Sequence, residues 1–136
     1  MPDPRLLPVL IVDDAPMIVA SVRAVLGQLG FRDVEAVEDG AAGLARLRRR
    51  RFGLVMADWN VPPTTGYDLL QRIRADQDLS AMPFVMMSNQ QQADCFPAAR
   101  RAGANACLIK PFGAAELREV IRTIYAASAA LGRPSR

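Results

Sequence analysis

Four apolar runs of strand length in this chain lead directly into side chains that can carry charge or donate a hydrogen bond. The first precedes Asp13 and Asp14, the second ends at Asp58, and two later runs lead into Ser88 and Lys110. Crowded carboxylates repel one another, and a hard divalent cation such as Mg2+ relieves that repulsion through oxygen ligands. If these residues meet, they form a site suited to a carboxylate nucleophile that accepts a phosphoryl group.

Asp58 is the central candidate because it closes an apolar run and is followed closely by Pro62, Pro63 and a Thr-Thr-Gly segment that stop the strand. In an open α/β sheet, ligands bind in the crevice outside the carboxyl ends of the strands. An aspartate in this position can also serve only as a helix cap or as an acceptor for loop N–H groups. The other polar residues that end strands favour chemistry over capping.

Lys110 is the single lysine among 17 basic residues. A lysine ammonium is a compact point charge on a thin stem, which a planar guanidinium does not imitate. We interpret Lys110 as the group that neutralises the carboxylates and holds a phosphoryl group, with the Ser88 hydroxyl as a further donor to the anion. A single lysine is also compatible with chance.

Strands and helices are expected to alternate strictly along the chain, which predicts a parallel sheet covered on both faces. The apolar patterns predict strands over 9–12, 34–37, 54–58, 83–87 and 106–109. Helical spacing or punctuation predicts helices over 16–29, from 39 onward, over 67–75, near 96–102 and over 113–128.

Two of these helices carry more specific expectations. In the second, we expect the inner face to contain Ala41, Leu44, Ala45 and Leu47. Pro97 would break a fourth helix that began near residue 91, so the spacing predicts a short helix from about Phe96, with Asp94 or Cys95 near its cap.

With 136 residues, of which 51% are hydrophobic and 23% charged, the chain fits one globular domain. We expect a disordered lead over 1–7, the domain over 8–128 and a flexible tail over 129–136. The longest apolar run near the start, residues 6–12, contains Pro8 and is too short to span a bilayer. The expected location is the cytoplasm.

Cysteine usage and charge exclude several classes of function. Cys95 and Cys107 lack metal-ligand spacing, and the chain has no histidine, which argues against a zinc site and a Cys–His nucleophile. Reduced thiols are the expected state. The formal charge is only +3, and much of it lies in Arg46 and residues 48–51, which we interpret as a solvated helix end rather than a nucleic-acid patch.

Taken together, these motifs resemble the receiver domains of two-component response regulators, and among them the single-domain chemotaxis (CheY-like) type. The similarity covers residues 8–126 and includes, in order, Val9 to Asp14, Gly30-Phe31, Val34-Glu35, Glu38-Asp39-Gly40, Asp58-Trp59-Asn60, Pro62, Gly66, Ser88, Ala102-Gly103-Ala104 and Lys110-Pro111-Phe112. The resemblance implies a flavodoxin-like, doubly wound (βα)5 three-layer α/β sandwich with the parallel strand order 2-1-3-4-5.

The resemblance also implies roles for individual residues. Asp58 would be the phosphoacceptor, with Lys110 and Ser88 binding the phosphoryl group. Asp14, Asp58 and the backbone carbonyl of Asn60 would hold Mg2+, and Asp13 would act through water. A stand-alone regulator of this kind takes its phosphoryl group from a sensor histidine kinase or phosphotransfer protein. It then signals to a downstream protein through helix 4, strand 5 and helix 5, with neither a DNA-binding domain nor a membrane segment expected and no catalysis beyond its own phosphorylation and dephosphorylation.

Several positions depart from the family pattern. Cys107 stands where an aromatic residue often reports the phosphorylation state, and it lies with Cys95, Arg100 and Arg101 on the expected partner surface. Asn89 replaces a small residue next to Ser88, which would narrow access to Asp58. The positions two residues after Asp58 and Ser88 tune hydrolysis in the family; here they are Asn60 and Gln90, which could orient a water molecule.

Four alternatives can be compared with the sequence. The same fold could bind an anionic nucleotide messenger, independently of phosphorylation, through Arg100 and Arg101 or residues 48–51. A haloacid-dehalogenase-like phosphatase would require an aspartate in place of Asn60, and a flavodoxin would require a hydroxyl- and glycine-rich loop after the first strand. Cys95 and Cys107 could form a redox switch, although small packing residues are the simpler interpretation.

Overall fold

The computed structural model describes residues 3–132, in which one sheet of five parallel strands has the order β2-β1-β3-β4-β5. The strands are β1 Val9–Val12, β2 Val34–Val37, β3 Leu54–Asp58, β4 Phe84–Ser88 and β5 Ala106–Ile109. The helices are α1 Pro16–Gln28, α2 Gly40–Arg49, α3 Gly66–Ala75, α4 Phe96–Arg101 and α5 Ala114–Gly132. The predicted fold class and strand order are confirmed.

Two apolar layers, one on each face of the sheet, explain why the central strands are continuous hydrophobic runs. In β1, Val9 and Ile11 pack with α1 and α5, whereas Leu10 and Val12 pack with α2, α3 and α4. Successive side chains of a strand point to opposite faces, so a strand with helices on both sides needs apolar residues at every position. β2 lies at the edge of the sheet and is accordingly only partly buried.

The inner face of α2 differs from the expected one. Leu44 and Leu47 are buried as predicted, but Ala41 and Ala45 are exposed, and that part of the prediction is wrong. Gly43 occupies the inner face instead, where an added Cβ would lie 3.2 Å from the side chains of Val12 and Leu69. The helix therefore approaches the sheet through a glycine, which an apolar periodicity does not register.

The connection after β4 contains an element that we did not predict. Residues Gln90–Cys95 form a 3-10 helix, and the Asn89 side chain accepts a hydrogen bond from the backbone N–H of Gln92 at 2.9 Å. The short α4 then begins at Phe96 as predicted, with Cys95 in the N-cap position but without a side-chain capping bond. Pro97 is tolerated because it falls in the first turn, where its missing N–H has no helical partner.

Both ends of the described chain show more regular structure than expected. Pro4–Leu6 form a 3-10 turn within the lead, and the Arg5 side chain pairs with Asp3 at 2.6 Å. Helix α5 extends to Gly132, beyond its predicted end at Ser128, and so overlaps the expected tail. Residues 133–136 lie outside the described part. Over residues 3–132, no helix combines the length and hydrophobicity required to cross a membrane.

Candidate active site

The carboxyl ends of β1, β3 and β5 bring three charged side chains into contact. The ammonium nitrogen of Lys110 lies 2.6 Å from Asp58 Oδ1 and 3.0 Å from Asp13 Oδ2. These residues are 52 and 97 positions from Lys110 in sequence, and the parallel sheet places them on one edge. The convergence expected from the strand ends is therefore present for this trio.

Asp13 is the most buried member of the cluster. Its side chain is 2% exposed, and its second carboxylate oxygen accepts a hydrogen bond from the backbone N–H of Ala15 at 3.0 Å. Each of its oxygens thus has a donor, as a buried carboxylate requires. Asp14, by contrast, is exposed, so the two adjacent carboxylates have different environments.

Asp58 is held from two sides but keeps access to solvent. Its side chain is 15% exposed, and Oδ2 accepts a hydrogen bond from the backbone N–H of Asn60 at 3.0 Å. The backbone N–H of Trp59 donates to the carbonyl of Met87 at 2.8 Å, which fixes the chain just beyond Asp58 against β4. The carboxylate is oriented by these contacts and can still be reached from outside.

A close backbone approach at the start of α3 further positions Asp58. A Cβ added to Gly66 would lie 2.1 Å from the Asp58 carbonyl oxygen, so only glycine fits at this position. The preceding Thr65 caps α3 by accepting from the N–H of Asp68 at 3.0 Å, and the Asp68 side chain accepts from the N–H of Thr65. This capping box fixes where α3 begins and therefore where Gly66 meets Asp58.

Lys110 is anchored by both its backbone and its head group. Its N–H donates to the carbonyl of Ser88 at 2.8 Å, and its side chain is only 12% exposed. Burial alone lowers the pKa of Lys110, but the hydrogen bonds and charges of Asp58 and Asp13 outweigh it, so the pKa lies above its ordinary value. The ammonium is therefore charged at neutral pH.

Ser88 and the residues that follow it form the β4 side of the site. The Ser88 hydroxyl is buried and donates to the carbonyl oxygen of Asn89 at 3.0 Å, so its proton is engaged by the backbone. Asn60, Asn89 and Gln90 are exposed at this edge. Asn89 directs its side-chain oxygen to Gln92, and this bond accounts for its position as the cap of the 3-10 helix.

The donor set can be compared with the requirements of Mg2+. Carboxylate oxygens from Asp13, Asp14 and Asp58 and the Asn60 carbonyl are hard ligands of the kind that Mg2+ prefers. In residues 3–132, however, no three histidine, cysteine, aspartate or glutamate side chains cluster closely enough to hold a metal ion. In this arrangement Lys110 compensates the charge of the carboxylates. The chemical type of the oxygen donors nevertheless matches the preference of Mg2+.

Of the residues assigned to a partner surface, Cys95 lies closest to the site, because its thiol contacts the Ser88 hydroxyl. Cys95 and Cys107 are both half-buried free thiols, and burial raises the pKa of each above its ordinary value. Arg100 and Arg101 are exposed in the last turn of α4. Cys107 lies in β5, and Cys95 ends the 3-10 helix before α4. In the described part of the chain, none of these four side chains forms a hydrogen bond or ion pair with Asp13, Asp58 or Lys110.

The arginine-rich end of α2 is largely occupied by ion pairs. Arg46 binds both oxygens of Glu35 at 2.9 and 3.0 Å, Arg50 pairs with Asp33 and Glu35, and Arg48 lies 3.3 Å from Asp76. The prediction of a solvated helix end agrees with the exposure of Arg48, Arg49 and Arg51. Acidic residues in and just before β2 and after α3 also meet this end across the fold, which a local sequence pattern does not predict.

Two features of the site escaped sequence reasoning. The aromatic rings of Trp59 and Tyr67 lie 4.9 Å apart between centroids, at a tilt of 52°, directly beside Asp58. The capping box of Thr65 and Asp68 has a readable signal, a threonine followed three residues later by an acidic residue before an apolar helix. The aromatic contact has none, because it depends on how the loop after β3 turns back.

Both the sequence and the fold are similar to those of known signalling proteins. The family model described as the response regulator receiver domain matches residues 9–122. Chemotaxis protein CheY-3 of Vibrio cholerae is 37% identical over 117 residues, which make up 86% of this chain and 90% of that protein.

Two solved structures give the same picture. The chemotaxis response regulator CheY4 of Vibrio cholerae has a TM-score of 0.76 at 27% identity, covering 87% of this chain and 98% of that one. The receiver domain of a sensor histidine kinase from Pseudomonas aeruginosa PAO1 has a TM-score of 0.76 at 30% identity, covering 87% and 97%. That structure contains a magnesium ion coordinated in its active site cleft.

Proposed function

This chain belongs to the response regulator receiver domain family, and from that membership and the geometry of the site we propose that Asp58 accepts a phosphoryl group in a two-component phosphorelay. The observation that carries the proposal is the contact of the Lys110 ammonium with Asp58 at 2.6 Å. An accessible carboxylate beside a fixed cation is suited to receive a dianionic group, since phosphoryl transfer depends mainly on positioning and charge stabilisation.

In the proposed reaction, an oxygen of Asp58 attacks the phosphorus of a phosphohistidine on a histidine kinase or phosphotransfer protein. The P–N bond breaks as the new P–O bond forms, and the histidine leaves with the electron pair of the broken bond. Mg2+ held by Asp14, Asp58 and the Asn60 carbonyl, with Asp13 acting through water, would supply charge neutralisation when bound. Lys110 then turns from the Asp58 carboxylate to an oxygen of the phosphoryl group.

Ser88 is the group that reports the new charge. Its hydroxyl proton, now donated to the Asn89 carbonyl, is redirected to a phosphoryl oxygen. Loss of this bond releases the backbone at the start of the 3-10 helix Gln90–Cys95. The exposed Asn60, Asn89 and Gln90 surround the acceptor and control how water reaches the acyl phosphate.

The output in this proposal is a shift between two arrangements of the face formed by α4, β5 and α5, which binds or releases a downstream protein. A phosphoryl group can shift that equilibrium only by interacting differently with the two states. Cys107 occupies the aromatic position of the family and is half-buried, so a bulky ring does not carry the change at this position.

The direct test is the intact mass of the protein after incubation with Mg2+ and acetyl phosphate. We expect a phosphoryl adduct that disappears with chelator and in Asp58→Asn. The matched control is Asp94→Asn, which removes an exposed carboxylate nearby and should keep the adduct. An unmodified native chain, under conditions in which another receiver domain is labelled, would contradict the proposal and favour the nucleotide-binding alternative.

The structure gives that alternative little support at one of its two sites. Arg48 and Arg50, which it would use, are already paired with acidic side chains. Arg49 and Arg51 of that run remain exposed, as do Arg100 and Arg101, so the alternative depends mainly on the latter two residues.

A further inference from the structure

One aromatic contact connects the residue next to Asp58 with a cleft between α3 and α4. Trp59, the only tryptophan of the chain, follows Asp58 directly, and its ring lies 4.9 Å from that of Tyr67 in the first turn of α3. Tyr67 also lines a cleft of about 530 Å3 between α3 and α4. The same side chain therefore touches the neighbour of Asp58 and the wall of the cleft.

The cleft exists because α4 is short and presents small side chains. Helix α4 has only six residues, and Ala98 and Ala102 lie opposite Gln71 and Ala75 of α3. Small residues on facing helices leave space that larger side chains would fill. This space can receive a bulky apolar side chain from outside.

The charge of the lining identifies the kind of occupant. Arg74 and Arg101 are the charged residues among those that line the cleft, and both are basic. The Arg74 guanidinium is already engaged, with bonds of 2.8 to 3.0 Å to the carbonyls of Gly103, Ser80 and Met82 and to the Asn105 side chain. Arg101 is exposed, and no hydrogen bond or ion pair of its side chain is found in the described part of the chain. An acidic group is the complementary ligand for its guanidinium.

We propose that the α3–α4 cleft docks an acidic segment of a protein partner, with a bulky apolar side chain seated against Ala98 and Ala102 and a carboxylate bound to Arg101. We further infer that the contact between Trp59 and Tyr67 couples the affinity of this cleft to phosphorylation of Asp58. The coupling, unlike the docking, rests on the proposed function.

The structure offers a physical route for that coupling. Trp59 lies between Asp58 and Asn60, and the N–H of Asn60 donates to Asp58 Oδ2. When an Asp58 oxygen becomes part of an acyl phosphate, this bond and the contact with Lys110 must change. Trp59 stands between Asp58 and Asn60 in the chain, so a change in their contact shifts its backbone. The Trp59 ring then moves against Tyr67, and Tyr67 alters the wall of the cleft.

The test uses the full chain, labelled with 15N, and two hexapeptides. One has the order Glu-Asp-Leu-Phe-Asp-Glu, and the other replaces the four acidic residues with lysine. We expect the acidic peptide, and not the basic one, to shift the amide resonances of Tyr67, Gln71, Ala98 and Ala102. Arg101→Glu should weaken its binding at least tenfold, whereas Arg118→Glu, an equal charge change at an exposed position of α5, should weaken it less than twofold.

A second titration, with Mg2+ and acetyl phosphate present, tests the coupling. We expect the affinity for the acidic peptide to change at least threefold in the native chain and not in Asp58→Asn. Shifts centred on another surface, equal binding of both peptides, or equal effects of the two charge variants would overturn the docking proposal. An adduct on Asp58 without a change in affinity overturns the coupling alone, whereas absence of the adduct refutes the proposed function and leaves the docking result standing.

Discussion

At the scale of single residues, Lys110 determines the electrostatic state of the site. It compensates Asp13, which is almost fully buried, and Asp58, which is partly exposed. Two carboxylates that share one ammonium would otherwise repel each other, because water does not fully solvate either of them. The same ammonium therefore stabilises the resting site and, in the proposed reaction, would contact the incoming phosphoryl group.

Replacing the ammonium with an apolar group should expose this repulsion. We expect Lys110→Met to lower the free energy of unfolding by about 3–5 kcal/mol, since removing one partner of a buried ion pair leaves the other charges uncompensated. Mg2+ should restore part of the loss by replacing the missing charge. Urea unfolding with and without Mg2+ measures both effects.

The control is Arg122→Met, which removes an exposed ion pair with Glu119 and should change the free energy of unfolding by only about 0.5 kcal/mol. An equal loss in both variants would argue against a special role for Lys110.

The two thiols allow a test of pH dependence at the same scale. Burial raises the pKa of Cys95 and of Cys107, so in the folded protein each thiol keeps its proton to higher pH than in the unfolded chain. Their contribution to stability is present at neutral pH and is lost as the pH rises above the ordinary thiol range. At pH 8, iodoacetamide should modify both residues more slowly in the native protein than in urea. Cys95→Ser and Cys107→Ser assign the two rates, and native reaction as fast as in urea would show that the thiols are not protected.

At the scale of secondary structure elements, the loop from β3 to α3 sets the position of Asp58. The Thr65 capping box starts the helix, and Gly66 then passes the Asp58 carbonyl so closely that a side chain would overlap with backbone atoms. Because backbone cannot rotate away as a side chain can, the strand end and the helix start must shift together. Element packing and site geometry are therefore linked at this glycine.

We expect Gly66→Ala to lower the free energy of unfolding by about 2–3 kcal/mol, as overpacking against fixed atoms does, and to reduce phosphoryl transfer to Asp58. The matched control is Gly27→Ala in α1, where an added Cβ meets nothing within 4 Å. Alanine there should stabilise by about 0.5–1 kcal/mol, because it favours the helix. Thermal or urea unfolding measures the first effect and intact mass the second. Similar behaviour of the two variants would contradict the role given to Gly66.

At the scale of the whole molecule, stability is distributed unevenly around the site. The central strands β3 and β4 are almost completely buried, whereas all residues of the 3-10 helix Gln90–Cys95 are exposed or only partly buried. Segments with few buried contacts open locally at a low free energy, while core strands exchange only on global unfolding. The molecule therefore combines a rigid sheet with a connection that can rearrange beside Ser88.

Hydrogen exchange should show this contrast. We expect the amides of Met56 and Met86 in the central strands to exchange slowest, and those of residues 91–95 to exchange orders of magnitude faster. Phosphorylation should change protection at 89–95 more than in β1. Mass spectrometry of peptides or NMR would measure both. Equal protection of the 3-10 segment and β4 would show that this connection is as stable as the core and would weaken the proposed role of Ser88.

Much of this architecture could be predicted from the sequence, because local patterns specify it. The continuous apolar runs at 9–12 and 54–58 predict buried parallel strands, and parallel strands necessarily place their carboxyl ends on one edge. That geometry alone predicts that Asp13, Asp58 and Lys110 meet. The errors arose where pattern and contact differ: Gly43 replaces the expected alanines on the inner face of α2, and the polar residues 90–95 form a 3-10 helix without an apolar period.

The sequence by itself therefore determined the fold class, the order of the elements and which residues lie at the carboxyl edge of the sheet. Only the tertiary structure decided that Lys110 binds Asp13 and Asp58 while Asp14 stays exposed, that Ser88 donates to the Asn89 carbonyl, and that Trp59 contacts Tyr67. The physical reason is the range of the forces involved. Periodicity and strand ends are local properties of the chain, whereas hydrogen-bond partners and ring contacts depend on strand register and on loops that bring distant residues together.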